Sequence, residues 1–306
     1  MKDNIFDFNR ELEKMVSSCR QYISTGKVAS YIPELAKANP DKLGVYIVAK
    51  DGEIFAGDYA EEFTVQSIIK PIILLLAMQD VGMEEVRKLV GVEATGKPFD
   101  TFNYTDQALK NEHINPMVNA GAIAMCTLVK GKNYKEKFDR LLELTQKLSK
   151  NPSLTLDEAV YLSEKRTGNK NRALAYMLNA YGMIREDVEE LVDFYFRACS
   201  IKVSAKDLAH IAFLLADRNP CSIISNKEAK CVNAIMMTSG MYDGSGEFAL
   251  NVGIPAKSGV GGGIMATVPG RMGIGVYSPA LDSKGNSVAG RKLLELLSEK
   301  MDLSVF

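Results

Sequence analysis

Between Phe8 and Ile23 the apolar residues Phe8, Leu12, Met15, Val16, Cys19 and Ile23 recur at spacings of three and four with charges between them, which predicts an amphipathic helix. The period then shortens. Leu43 to Ala49 and Glu53 to Ala56 are β-rich runs separated by Lys50-Asp51-Gly52, where Asp-Gly favours a tight turn, so a hairpin is expected. From about Ser67 to Met241 the signals turn helical: Lys135 to Leu148, a capping-box start at Thr155 with Glu158, Glu186 to Arg197, and Ser204 to Ala216. Strand character returns in Gly253 to Gly259, Ile264 to Val268 and Met272 to Tyr277. Lys292 to Met301 closes the chain as a helix carrying Leu293, Leu294, Leu296 and Leu297.

Strands at both ends of the sequence around a long helical stretch predict one antiparallel sheet shared by the N- and C-terminal segments, an α+β fold. The 306 residues then read as a single domain of two lobes, an α/β lobe over about 1–66 and 241–306 and a mainly helical lobe over about 67–240. No repeat or linker divides them. A cleft where a helical lobe meets a sheet is a common ligand site, so the two crossings between lobes have priority.

Composition narrows the chemistry. With 46% hydrophobic and 25% charged residues the chain folds as an ordinary globular protein, and a net charge of -1 gives no basic excess for binding nucleic acid. There are two histidines, His113 and His210, and five cysteines with no C-x-x-C among them, so neither a zinc site nor a histidine-based triad is expected. His113 falls in a polar loop and His210 in a helix, and neither needs a function. The start Met1-Lys2-Asp3-Asn4 shows no apolar signal segment, which fits reduced thiols in a cytoplasmic protein. The longest apolar run, Ile72 to Met78, is far short of the ~20 residues of a membrane span and reads as core.

At the first crossing stands Phe63-Thr64-Val65-Gln66-Ser67-Ile68-Ile69-Lys70-Pro71. If Ser67 opens a helix, Lys70 lies one turn later on the same face, where a neutral amine can act as base for the hydroxyl. Such a lysine must be shifted from its usual pKa near 10.4 by burial or a nearby cation. S-x-x-K recurs by chance roughly once in a chain this long, and Ser24-Thr25-Gly26-Lys27 is a second instance. The second crossing adds weight: Ala256-Lys257-Ser258-Gly259-Val260-Gly261-Gly262-Gly263-Ile264 puts a K-S-G triplet on a strand, as in serine hydrolases that use Ser and Lys instead of His. A phosphate loop is disfavoured because G-x-x-x-x-G-K-[ST] is absent, whereas a tightly packed glycine turn is the plain alternative.

Between the crossings, local reading is structural. Asn115 and Asn119 are turn and cap residues ahead of a small-residue helix; Ser163 to Asn171 is a helix end entering a polar loop, with Glu164 on a solvated face. Tyr195 sits in an aromatic stripe typical of a core. Met241 to Glu247 is turn-rich, so Tyr242 either points into the cleft or caps it.

Taken together these pieces resemble the serine-dependent glutaminases, whose catalytic domain has a β-lactamase/transpeptidase-like fold. The matching stretches are Gly26 to Pro33, Val65 to Pro71, Asn115 to Ile123, Ser163 to Asn171, Asp193 to Ser200, Gly240 to Phe248 and Gly253 to Ile264, in family order across nearly the whole chain. The departures are Ile69, where a small polar residue is frequent, and a short connection from Cys221 to Cys231. The resemblance implies Ser67 as nucleophile, Lys70 as its partner and Tyr242 in the proton transfer, with the backbone N–H groups of Ser67 and Val260 as oxyanion hole. It implies substrate contacts from Tyr31, Gln66, Asn119, Glu164, Asn171 and Tyr195, the acid of Glu164 meeting the α-ammonium of L-glutamine. Implied too are hydrolysis of glutamine to glutamate and ammonia, no cofactor or metal, no nucleic-acid or membrane partner, and assembly as a homodimer or homotetramer. A β-lactamase or penicillin-binding enzyme, or a glutamine or glutamate sensor without turnover, are the alternatives on the same scaffold.

Overall fold

The computed structural model describes residues 2–94, 101, 114–218 and 223–306; His113 and Cys221 lie outside them. In chain order the elements are helix α1 (Lys2–Cys19), strands β1 (Gly44–Ala49), β2 (Gly52–Gly57) and β3 (Phe63–Thr64), then helices α2 (Lys70–Val81), α3 (Met83–Leu89), α4 (Asn119–Cys126), α5 (Tyr134–Ser149), α6 (Glu158–Thr167), α7 (Asn169–Ala180) and α8 (Val188–Cys199). Strand β4 (Lys202–Val203), helices α9 (Ala205–Ala216), α10 (Asn226–Ser239) and α11 (Ser245–Asn251), strands β5 (Ala256–Ser258), β6 (Gly263–Val268) and β7 (Met272–Tyr277) and helix α12 (Val288–Met301) follow.

The expected sheet forms: five antiparallel strands in the order β2-β1-β7-β6-β5, so the N-terminal hairpin pairs directly with the C-terminal strands through β1 and β7. Alternation along β1, β6 and β7 gives the sheet two buried faces, while the edge strand β2 is largely exposed. Val45, Ile47, Ile264, Ala266, Ile274 and Val276 join Leu12 and Val16 of α1 and Leu293, Leu294 and Leu297 of α12 in one core. Tyr46, Val48, Met265 and Tyr277 turn to the other core, with the helices. Helix α9 lies against β7 where the strand carries Gly273 and Gly275; a Cβ on Gly275 would come within 1.9 Å of the Ala205 carbonyl oxygen. Only glycine permits that approach. The run Ile72 to Met78 is buried in α2, as its sequence predicts.

Two local expectations are corrected. Helix α6 is capped by the Asp157 side chain, which accepts from Val160 N at 3.0 Å, not by Thr155. Thr155 and Leu156 are held extended: Lys202 N donates to Thr155 O at 2.9 Å, Asp157 N to Ser200 O at 2.8 Å, and Leu156 bridges Ile201. The helix therefore starts later. The polar loop expected beyond Glu164 is only Gly168, after which α7 begins at once. The sequence also gave no sign of the two-stranded ladder β3–β4, which pairs Phe63 with Val203 and Thr64 with Lys202. That ladder positions the site, because it fixes the segment before Ser67 to the segment after Cys199.

Candidate active site

Ser67 lies on one turn of 3-10 helix, Gln66–Ile69, that runs directly into α2 at Lys70, so the pair are three residues apart on adjoining turns. Gln66 has a φ of 48°, a left-handed conformation uncommon for a residue with a side chain. The turn is over-determined by its surroundings. Val65 N donates to Ile201 O at 2.9 Å, and the glycine turn between β5 and β6 backs onto it so closely that a Cβ on Gly261 would meet Thr64 O at 2.5 Å. The run Gly259 to Gly263 is thus a close-packing turn with no helix after it, pressed against the turn that carries Ser67.

Lys70 is fully buried, and its Nζ stands 3.1 Å from Ser67 Oγ, 2.7 Å from Asn119 Oδ1 and 3.3 Å from Met117 O. Asn119 is therefore no cap. It is the first residue of α4, whose N-cap is Val118, and its side chain bridges the lysine to Asn171, Nδ2 donating to Oδ1 at 2.9 Å. Asn115 is a turn residue as expected, its Oδ1 accepting from Met117 N at 2.8 Å. Tyr195 is buried in the aromatic core and still reaches the site, its hydroxyl 3.5 Å from Asn119 Oδ1.

A cavity of about 410 Å³ has Tyr31, Gln66, Ser67, Asn119, Glu164, Asn171 and Tyr195 in its wall, while Lys70 lies behind it against Ser67 and Asn119. Thr167, Gly168, Asn169, Lys170 and Cys199 also line it and escaped the local reading; the only signal was that all five fall inside stretches quoted for the family resemblance. Tyr31 stands 59% exposed, whereas Glu164 is only 6% exposed. Glu164 is thus not on a solvated face. Burial pushes its carboxyl up to about 8, against the opposing pull of a hydrogen bond from Gln66 and of the Lys70 charge, and among the described residues its Oε2 has no hydrogen-bond partner.

Tyr242 and Val260 are not in that wall. They pack beside it with Ile32, Leu35, Val160 and Leu281. Tyr242 also has a left-handed φ, 54°; its hydroxyl donates to Ser258 O at 3.0 Å and is within hydrogen-bonding reach of Ser67. Burial holds its phenol well above the usual value. Among the described residues no group of three or more His, Cys, Asp and Glu could hold a metal ion, and no helix is long and apolar enough to cross a membrane.

Ser67 in the cavity wall, with the buried Lys70 amine behind its hydroxyl and Tyr242 within reach, is an arrangement that can carry acyl transfer. Comparison with known proteins agrees. Residues 26–306 match the sequence profile of the glutaminase family. A glutaminase of Clostridium tetani is 52% identical over 302 residues, 97% of this chain and 99% of that protein, and glutaminase 2 of Clostridium perfringens is 50% identical over 301 residues, 96% and 99% respectively. The crystal structure of a Bacillus subtilis glutaminase in covalent complex with 5-oxo-L-norleucine, formed by reaction with 6-diazo-5-oxo-L-norleucine, superposes with a TM-score of 0.88 at 36% identity, covering 97% of this chain and 99% of that one. Sequence, fold and cavity converge, and the chain belongs to the glutaminase family.

Proposed function

We propose that this glutaminase hydrolyses the side-chain amide of L-glutamine to L-glutamate and ammonia through an ester on Ser67. The observation that carries this reading is the 3.1 Å approach of Lys70 Nζ to Ser67 Oγ, beside a cavity whose wall holds Ser67 and the buried carboxyl group of Glu164, whose Oε2 has no hydrogen-bond partner among the described residues. In the neutral amine, two N–H groups serve Asn119 Oδ1 and Met117 O, which leaves the lone pair to take the Ser67 proton. Ser67 Oγ attacks the amide carbon, and the backbone N–H groups of Ser67 and Val260 stabilise the oxyanion. Collapse breaks the C–N bond, and the departing nitrogen takes its proton from the Lys70 ammonium, with Tyr242 as relay. Water then attacks the ester and gives its proton to the same pair, and as the C–Oγ bond breaks that proton passes to Ser67 Oγ, releasing glutamate and restoring the neutral Lys70 amine.

Tyr242 serves as donor and relay rather than first base, because burial makes its phenol harder to ionise. Glu164 receives the α-ammonium of the substrate, and Tyr31, Gln66, Asn119, Asn171 and Tyr195 supply the hydrogen bonds for its α-carboxylate and side-chain amide. The two-lobed unit, about 1–66 with 241–306 against about 67–240, works as one catalytic body. It acts in the cytoplasm without a cofactor, as a homodimer or homotetramer, the assembly state being measurable by light scattering.

The test is ammonia release from glutamine by purified protein. Ser67→Ala lowers kcat by at least about 10⁴-fold while folding normally. 6-Diazo-5-oxo-L-norleucine, which reacts covalently with the Bacillus subtilis relative, labels the wild type on the peptide containing Ser67 and leaves Ser67→Ala unlabelled. Near wild-type turnover by Ser67→Ala overturns the assignment.

A further inference from the structure

The proposed reaction leaves one fully buried lysine without a task. Lys257, in the K-S-G strand, has no exposed surface, so whatever satisfies its polar head must come from the protein atoms around it. Its Nζ donates to Gly240 O at 3.1 Å and to Ser258 O at 2.7 Å, and it stands 4.4 Å from the centre of the Tyr242 ring, over its face. Two carbonyl oxygens and a π face are all electron-rich, a set that suits the three N–H donors of an ammonium, while the two carbonyls alone suit the two N–H donors of a neutral amine.

Those three groups share one feature: they fix Tyr242. Gly240 O precedes Tyr242 by two residues at the end of α10, and Ser258 O is the acceptor that the Tyr242 hydroxyl itself uses, at 3.0 Å. The Tyr242 backbone is secured separately, Ser245 Oγ donating to Tyr242 O at 2.8 Å and Asn286 Nδ2 to Met241 O at 3.1 Å. Those bonds hold the main chain in its left-handed turn, while the ring is held by its packing with Ile32, Leu35, Val160, Val260 and Leu281 and by the hydroxyl's bond to Ser258 O. Lys257 occupies the space under one ring face and shares the acceptor at the ring's far end.

We propose that Lys257 is a positioning residue for Tyr242: by bridging Gly240 O and Ser258 O beneath the ring, it holds the phenol hydroxyl at Ser67. The inference rests on the role given above to Tyr242 and adds to it the part that aims it. Misplacing a reacting group by about 1 Å can cost on the order of 100-fold in rate, and that is the scale expected. A role through Tyr242 also makes a second statement: once the hydroxyl is gone, the lysine no longer matters to the rate.

The experiment is a double-mutant cycle on the full chain, with kcat and KM for glutamine measured by ammonia release for wild type, Lys257→Met, Tyr242→Phe and the double variant, each checked for folding by thermal melt. Lys257→Met is expected to lower kcat by about 10- to 100-fold with KM changed less than about twofold, and to cause no further loss in the Tyr242→Phe background. Equal losses in both backgrounds, or a raised KM with unchanged kcat, overturn the proposal. Wild-type activity in Tyr242→Phe removes Tyr242 from the reaction and the proposal with it, yet leaves the Ser67 labelling result standing. Should Lys257→Met not fold, Lys257→Gln, which keeps two N–H donors without the charge, takes its place in the same cycle with the same criteria.

Discussion

Glu164 on α6 and Asp193 on α8 are acids on two helices that pack together, yet their surroundings are opposite. Asp193 accepts from the Tyr161 hydroxyl at 2.5 Å, Lys165 Nζ at 2.6 Å and Arg197 Nε at 2.9 Å, and these donors hold its carboxyl below the usual range in spite of partial burial. Glu164, among the described residues, keeps one oxygen with no partner and is pushed up to about 8 by burial. A saturated acid has nothing left to offer a ligand, whereas an orphaned one is costly to keep unless something arrives to pair with it. The first therefore fastens two helices, and the second has the surroundings of the cation-binding role proposed for it.

The largest test of that contrast is to neutralise each acid. Glu164→Gln should lower kcat/KM for glutamine by about 100- to 1,000-fold, chiefly through KM, since truncating one partner of a buried charge pair costs roughly 2–5 kcal/mol. Asp193→Asn should change kcat/KM by less than about threefold, because nothing in its network lines the cavity except through helix packing. Steady-state ammonia release on both variants decides it, and equal losses would erase the distinction.

A somewhat smaller effect comes from pH. kcat/KM reports the free enzyme, in which Glu164 must be ionised to receive an ammonium, so the wild-type value should climb as pH rises and level off above about 8. Between pH 6 and the plateau the gain should approach about 100-fold if ionisation of this single carboxyl sets the limb. In Glu164→Gln that limb should vanish while any limb due to Lys70 persists. An unchanged profile in the variant would show that another group sets it.

The same contrast explains what the sequence could disclose. The helices and the five-stranded sheet were legible because their signals are local: three-and-four spacing before Ile23, alternation in Val45 to Val48, leucines in α12. Glu164 was not, since a glutamate amid Lys165 and Arg166 has the pattern of a wet helix face, whereas the fold leaves it 6% exposed in a cavity wall shared with Asn171 and Tyr195. Asn119 looked like a cap for a similar reason: what makes it a bridge is Lys70, 49 positions away. Order of motifs along the chain carried the site, because family pattern records contacts between distant residues that local propensity cannot. The ladder β3–β4 stayed hidden because two residues per strand are too few to show a period.

The last predicted effect is on stability, where the Asp193 change is the smallest of the set, and here the two acids should differ in sign. A carboxyl raised to about 8 in the folded chain binds its proton more tightly than the unfolded chain does, so its contribution is fully present below the ordinary value of 4.5 and is lost as pH rises to about 8. Glu164→Gln, which cannot ionise, should therefore be more stable than wild type above pH 8, by on the order of 2–4 kcal/mol, and nearly equal to it at pH 4. Asp193 has the reverse linkage: a depressed carboxyl contributes above its ordinary value of 3.8 and loses that contribution as pH falls through the folded value. Asp193→Asn should then be less stable than wild type at pH 7, by roughly 1 kcal/mol for a partly exposed network, with the gap closing in acid. Urea unfolding of the three proteins at pH 4, 7 and 8.5 measures both. If Glu164→Gln proves less stable than wild type at pH 8.5, the carboxylate is not an unpaired buried charge but a structural one like Asp193, and the reason for assigning it to the substrate ammonium disappears.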